Sequence, residues 1–401
     1  MSTERESTAA TRAHDEATRA PMLGPAFVAL LAVNVAFSFA LSTFFLLPKY
    51  MVQELGASPS DVGAVATGFG LTMVVAVPLI GRLLDGSRDR AVLIGGAAVM
   101  AVSALGFVFV TELGPSILVL RALQGIALSM FNNAGSVIVA ELAPVGRMAQ
   151  ALGLFAGTGM VMTAVAPALV ELIAERAGYT PSFALAAGAS LVAVALAFRV
   201  PRPTPKPRPR SSLRTLLGRA TSLRMIGVLA GTGLGFGVMF SFSSPFALAL
   251  GIENVRGFFV AFAVGAVLVR FGLGGSIDRI GPRRVATFAL AGYGASVGAM
   301  CLLAPGRLEL LGALFGLFHG LFIPAFTAFV VSEAEAHERG KVMSLFNGAF
   351  NLGNCLVVLL GMIAEQHGFP LVFAATGLLV LLGPPLLAGW PRSRALTTAS
   401  A

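Results

Sequence analysis

Apolar residues fall into twelve long runs separated by short polar breaks, and this spacing decides the fold class. The runs lie at about 24–47, 61–80, 91–111, 116–139, 148–172 and 180–199. After a wider break they continue at about 225–249, 257–276, 285–304, 310–331, 341–363 and 369–389. A membrane-crossing helix needs roughly 20 apolar residues, so the runs read as transmembrane helices. Backbone polar groups find no water in hydrocarbon, and a helix pairs them within its own segment. Gly and Ala are abundant inside the runs, which suits close helix packing in lipid. The pattern predicts an all-α membrane protein of twelve transmembrane helices.

Composition agrees. Of 401 residues 56% are hydrophobic and 12% charged, and the mean hydropathy is +0.85. Soluble domains carry roughly 25% charged residues, so a soluble enzyme and a disordered chain are both excluded. Two cysteines, Cys301 and Cys355, sit in apolar runs and read as small buried hydrophobes, not as a disulfide or metal pair. The polar residues 1–23 are expected to form a disordered tail, and the long run after them lacks the features of a cleaved signal.

The wide break, residues 200–223, contains PRPTPKPRPR, whose alternating prolines forbid helix and favour an extended linker. It separates two six-helix bundles, 24–199 and 224–390, and a short tail follows at 391–401. Of the 28 Lys and Arg residues, 22 fall on the face that carries both tails and the linker. Four (Lys49, Arg176, Arg256 and Arg307) fall on the other face, and Arg121 and Arg270 lie inside spans. The excess predicts cytoplasmic termini and a cytoplasmic linker. The net charge of +9 is therefore topological, and no nucleic acid is expected as a partner.

The halves repeat each other. Gly81-x-x-x-Asp85 recurs as Gly274-x-x-x-Asp278 at an offset of 193, and Gln124-Gly125 as His319-Gly320 at 195. Leu154-Phe155 recurs as Leu345-Phe346 at 191. Gly178-Tyr179 and Phe183-Ala184 recur as Gly368-Phe369 and Phe373-Ala374 at 190. A slowly drifting offset in a constant order indicates duplication. Two like bundles of six spans are parallel repeats, which place a substrate site at mid-membrane between them.

On these residues the chain resembles the major facilitator superfamily over about residues 24–390. The loop between spans 8 and 9, Gly274-Gly275-Ser276-Ile277-Asp278-Arg279-Ile280-Gly281-Pro282-Arg283-Arg284, fits the family pattern G-x-L-x-D-R-x-G-R-R. The loop between spans 2 and 3 keeps Gly81, Leu83 and Asp85, then departs, with Gly86 and Arg88 in the Arg and Gly places. Glycine permits close helix approach, and an Asp at a span end can pair with arginines and with a helix N-terminus. Gly81, Asp85, Arg88, Arg90, Arg270, Asp278, Arg279, Arg283 and Arg284 are thus candidates for a gating charge network. The alternative is that the arginines only enforce topology.

Arg121-Ala122-Leu123-Gln124-Gly125 in span 4 resembles the family's R-x-x-Q-G motif, associated with proton-coupled members. An arginine inside a span is by default a functional candidate. Asn132 lies about 20° from Arg121 around the helix, so Arg121, Gln124 and Asn132 share a face. Span 5 keeps only a remnant of the family's antiporter motif, Gly153, Gly157, Gly159 and Ala166-Pro167.

Polar residues in other spans complete the candidate site. Asn347, Asn351 and Asn354 form a stripe on span 11, Asn34 and Ser38 lie one turn apart on span 1, and Ser241, Ser243 and Ser244 lie on span 7. Each either faces a cavity or glues helices together. His319 is the one histidine inside a span. With Arg121 it is the candidate for proton coupling, because histidine titrates near neutral pH. Glu171, near the outer end of span 5, is a secondary candidate.

No Gly-rich phosphate loop with a following Lys occurs, so neither ATP nor any cofactor or metal is expected. The expectation is a monomeric, multi-pass transporter of the cytoplasmic membrane, in contact with the lipid bilayer. It would work by alternating access and move a small organic molecule, outward against protons by analogy with the family. Uptake of a metabolite or organic anion is the alternative, and a non-transporting or lipid-handling membrane protein a more distant one.

Overall fold

A computed structural model describes residues 23–84, 88–144, 147–202, 220–334 and 339–390. Among these residues the secondary structure is helical, without strands. The expected tails 1–23, apart from Leu23, and 391–401 and most of the linker 200–223 lie outside them, as does Asp85.

Spans 2 to 6 run Pro59–Leu84, Asp89–Phe107, Pro115–Leu142, Met148–Ala177 and Thr180–Ala197. Spans 7 to 10 run Ala220–Ala249, Arg256–Ile280, Pro282–Ala299 and Leu308–Glu333. Eleven helices among the described residues are long and apolar enough to cross a membrane, and the helix Arg256–Ile280 stands in the place of span 8. Prolines open many spans, as at Pro25, Pro115 and Pro282, where the first-turn N–H has no intrahelical partner to lose.

Spans 1, 11 and 12 are interrupted. Span 1 runs Pro25–Thr43, tightens into a 3₁₀ turn at Phe44–Leu46 and resumes as Leu47–Leu55. It is therefore longer than the predicted run ending near 47, and Lys49 lies inside the helix, not in a loop. Lys49 does not end the span because its charge is neutralised there, as described below. Span 11 consists of Arg339–Asn354 and Val357–His367, and span 12 of Phe369–Leu381 and Gly383–Ala388.

The predicted duplication appears in the packing. Within the first half, span 3 packs on 4 and 6, span 2 on 4, and span 1 on 5 and 6; adding six to each number gives the packing of the second half. The turn after span 5 repeats as well. Gly178 (φ +77°) and Gly368 (φ +83°) end spans 5 and 11 in the left-handed region that only glycine enters without cost. Their N–H groups donate to Ala174 and Ala364 carbonyls at 3.0 and 2.8 Å, again 190 residues apart.

The halves meet chiefly along spans 2 and 11 and along spans 5 and 8. Most cross-half bonds described below involve the ends of spans that adjoin Lys49; those of Thr67 to the break in span 11 lie deeper. The opposite ends, on the linker face, carry exposed Asn132, Ser136 and Asn347. The halves are thus bonded to each other chiefly at the Lys49 face.

Small residues let the helices approach. A Cβ on Gly316 would lie 1.9 Å from the Phe262 carbonyl oxygen, and one on Gly353 1.9 Å from that of Ala230. Gly316→Val and Gly353→Val should each lower stability by about 1–3 kcal/mol through overpacking. Thermal unfolding of the purified protein in detergent checks this, with Gly153→Val, at a position with open space for a side chain, expected to stay close to wild type.

Candidate functional site

A cavity with an empty volume of about 530 Å³, part of it open to solvent, lies between the halves. Its walls are mostly apolar: Phe44, Phe45, Pro48 and Met51 from span 1, Val65 and Phe69 from span 2, and Phe236 and Phe240 from span 7. Phe236 stacks on Phe240 with centroids 4.3 Å apart, and Phe45 meets Phe240 edge-on at 4.7 Å. Polar groups reach it at Arg121, Ser241 and Asn354, and none of its described lining residues is acidic.

Arg121 is the cation of this cavity. Its Nη1 donates to Gln124 Oε1 at 2.6 Å, and its Cζ stands 4.5 Å from the centroid of Phe69. A guanidinium over an aromatic face gains up to about 2 kcal/mol when desolvated. Arg121 Nε and Gln124 Nε2 are buried without partners, so the pair presents two unused donors. Gln124 itself is fully buried. Across the cavity, Asn354 Oδ1 is a buried acceptor without a partner. Gly237 makes room for it, since a Cβ there would lie 2.1 Å from that oxygen. Asn132 and Asn347, on the linker side of these groups, are exposed, and Asn351 Nδ2 donates to the Asn347 carbonyl at 2.9 Å. Along span 4 and along span 11, polar side chains therefore pass from open to enclosed.

Other expected site residues lie elsewhere. Asn34 Nδ2 donates to the Phe155 carbonyl at 2.7 Å and to Thr158 Oγ1 at 2.9 Å, joining spans 1 and 5. Ser38 Oγ would be 3.0 Å from a Cβ on Gly159, at the same seam. His319 does not line the cavity. Its ring is surrounded by those of Phe236, Phe262, Tyr293 and Phe315, with centroids 5.2 to 5.8 Å away, and its Nδ1 is buried without a partner. Arg270 is the charged neighbour of this histidine.

The loop-motif arginines hold helix ends. Arg90 Nη2 donates to the Phe198 carbonyl at 2.7 Å and its Cζ lies 5.7 Å from the Phe198 ring. Arg283 Nε and Nη2 donate to the carbonyls of Leu387 and Ala388 at 2.9 and 2.5 Å. Arg90 and Arg283 are 193 residues apart, and Phe198 and Ala388 are 190 apart, so both repeats place a cation on the terminal carbonyls of their last span. Gly81, Arg88, Arg279 and Arg284 are exposed. The side chain of Asp278, like Asp85, lies outside the described residues.

Two polar features were missed from sequence. Thr67, on span 2, answers the break in span 11: its Oγ1 donates to the Cys355 carbonyl at 2.9 Å and accepts from Val358 N–H at 3.0 Å. Lys49 on span 1 and Glu171 on span 5 form a buried ion pair. Their opposite charges at matching depths of two spans were the available signal, as was the apolar Tyr50-Met51-Val52 that continues past Lys49. Nearby, burial and the negative charges of Glu171 and Glu54 push the Tyr179 hydroxyl above its ordinary range, so it remains a donor, to Gln53 Oε1 at 3.1 Å.

Two like six-helix bundles with a cavity between them are the architecture of a membrane transporter. The description "Major Facilitator Superfamily" matches the chain over residues 28–356 and again over 259–399, and the chain belongs to that family. It is thus a multi-pass membrane protein that handles small molecules. Among similar proteins, "Multidrug resistance protein MdtG" of Citrobacter koseri is 26% identical over 382 residues, covering 89% of this chain and 91% of its own. The protein of that name from Serratia proteamaculans is 25% identical over 361 residues, covering 84% and 86%. The human organic anion transporter MFSD10 (TETRAN) superposes with a TM-score of 0.68 at 15% identity, covering 91% of this chain and 100% of its own. The nucleoside transporter NupG superposes at 0.67 with 16% identity, covering 90% and 98%. These two likenesses concern the fold.

The arginine caps carry a prediction. Arg90→Ala and Arg283→Ala should each cost about 1 kcal/mol through the lost carbonyl bonds and dipole contact. Thermal unfolding checks it, and Arg284→Ala, exposed at the same helix start, should be near neutral.

Proposed function

We propose that the protein exports a small organic solute, apolar in body and neutral or anionic, in exchange for protons by alternating access. The observation that carries this reading is the Arg121–Gln124 pair, whose unused donors lie at the closed end of an aromatic cavity without acids. Ring walls contribute dispersion and burial with little demand on shape. A lone guanidinium favours an anion or a strong acceptor and repels a dication. The multidrug resistance names of relatives 25–26% identical support the outward direction.

Orientation follows from the Lys and Arg asymmetry, which puts the linker face in the cytoplasm of a cell whose inner membrane holds the protein as a monomer. On this reading the Lys49 face, where the cross-half bonds gather, is the outer one, and solute is taken from within. For the proton, Arg121 and His319 are the proposed residues. Arg121 can hold the substrate and release it as local charge changes; His319 is the imidazole in a cage of rings.

A paired metabolite profile of cells and medium, with and without the expressed gene, tests the direction. A compound depleted inside and enriched outside is expected, and enrichment inside would establish uptake instead. With that compound and proteoliposomes, Arg121→Ala should lower transport at least tenfold, the loss of about 1.4 kcal/mol that one charge-assisted bond supplies. Arg121→Lys should recover part of it. His319→Ala should abolish substrate-driven proton movement, and coupling that persists would make His319 a packing residue.

A further inference from the structure

We propose that Glu171 is the latch that keeps the Lys49 face shut, by capping a helix that belongs to the opposite half. This rests on the alternating-access reading and names the residue on which the shut state turns.

The geometry separates what stays from what must part. Lys49 and Glu171 belong to the same half, on spans 1 and 5, and their ion pair is internal to it. What crosses to the other half is the carboxylate's second set of bonds. Glu171 Oε1 accepts from Val255 N–H at 2.9 Å, and Oε2 accepts from Arg256 N–H. Val255 is the N-cap of span 8 and Arg256 its first residue. These are two of the amides a helix leaves unpaired at its start, where the helix dipole also favours negative charge. Lys49 Nζ adds a bond to the Glu253 carbonyl in the same loop.

The chemistry makes the contact selective and reversible. Every partner of Glu171 is a donor, so only a group with two free acceptor oxygens satisfies the site. A carboxamide would turn an N–H₂ toward Lys49 or toward the amides. Because Lys49 remains beside Glu171 when the loop leaves, opening strands no lone charge, and water can replace the two amide bonds. The other bonds between side chains across this face are more open to water. Arg256 Nη1 meets Glu175 at 3.0 and 3.1 Å, but that pair is one-third to one-half exposed and contributes little. Ser60 bonds Glu365, which is exposed. Glu171 is 1% exposed.

Spin-label distances in the full-length protein, reconstituted in nanodiscs with Cys301 and Cys355 replaced by serine, test the assignment. Labels at Glu112→Cys and Arg307→Cys, exposed on the Lys49 face of opposite halves, read its opening; labels at Gln150→Cys and Glu333→Cys read the linker face. The wild-type background should be short at the first pair. Glu171→Gln should move most of the population to a longer distance there and shorten the second pair. Glu175→Gln should leave both as in wild type. If Glu171→Gln does not fold, Lys49→Met with Glu171→Leu removes both buried charges and the acceptors together, and should produce the same opening. Gly361→Trp supplies the reference for motion, since even a Cβ there would lie 2.5 Å from the Pro59 carbonyl across the seam. If Gly361→Trp opens the face and the Glu171 variants do not, the latch assignment is overturned while alternating access stands. If Gly361→Trp moves neither pair, both readings fall.

Discussion

Hydrogen-bond satisfaction without water is the constraint on which this structure depends. A backbone amide or carbonyl left unpaired in hydrocarbon costs several kcal/mol, so the chain is helical wherever it crosses. Where a helix is interrupted, a partner stands ready. The break in span 11 exposes the Cys355 carbonyl and the Val358 amide, and Thr67 uses one hydroxyl to serve both. The same rule governs side chains. Asn34 spends its amide hydrogens on span 5, and Lys49 is buried only because Glu171 is. Buried polar atoms without partners occur at the cavity, at Arg121, the adjoining Gln124 and Asn354, and also away from it, at Ser129, Ser243, Ser244, His319, Thr376 and Trp390.

Much of this was legible in the sequence, for a physical reason. Span number and the duplication are written in periodicity and in residues that repeat at nearly constant offset. Arg121 and Gln124 stood out because a charge inside a span is costly and a spacing of three puts both on one face. Roles that depend on a neighbour far along the chain were not legible. Asn34 and Asn354 are the same residue type in similar apolar surroundings, yet one ties two helices together and the other lines the cavity. The difference lies in Phe155 and Gly237, which no local pattern connects to them. His319 shows the same limit: its place in span 10 suggested the cavity, but the rings around it come from spans 7, 8, 9 and 10. Lys49 was assigned to a loop because a lysine normally ends an apolar run, and the carboxylate that overrides this rule lies 122 residues away.

The two faces use charge differently. On the linker face cations are many, and the two whose bonds are described at the motif positions neutralise carbonyls at the ends of spans 6 and 12. These contacts lie within one half. On the Lys49 face cations are few, and one buried pair faces amides of the other half. Each half thus has internal clamps at one face and shared bonds at the other, as two bodies that rock against each other require. The cavity between them combines this arrangement with walls of phenylalanine that recognise surface and volume more than pattern.

The paired arginine caps also bear on how the protein is made. Arg90 reaches Phe198, and Arg283 reaches Leu387 and Ala388, so each clamp joins the third span of a repeat to its last. Synthesis proceeds from the N-terminus, and the first clamp can close once Phe198 has entered the membrane, before span 7 exists. Each clamp is therefore local to its own bundle, and the first needs nothing from the second. Duplication has in this way kept each bundle's closing contact independent of the other's.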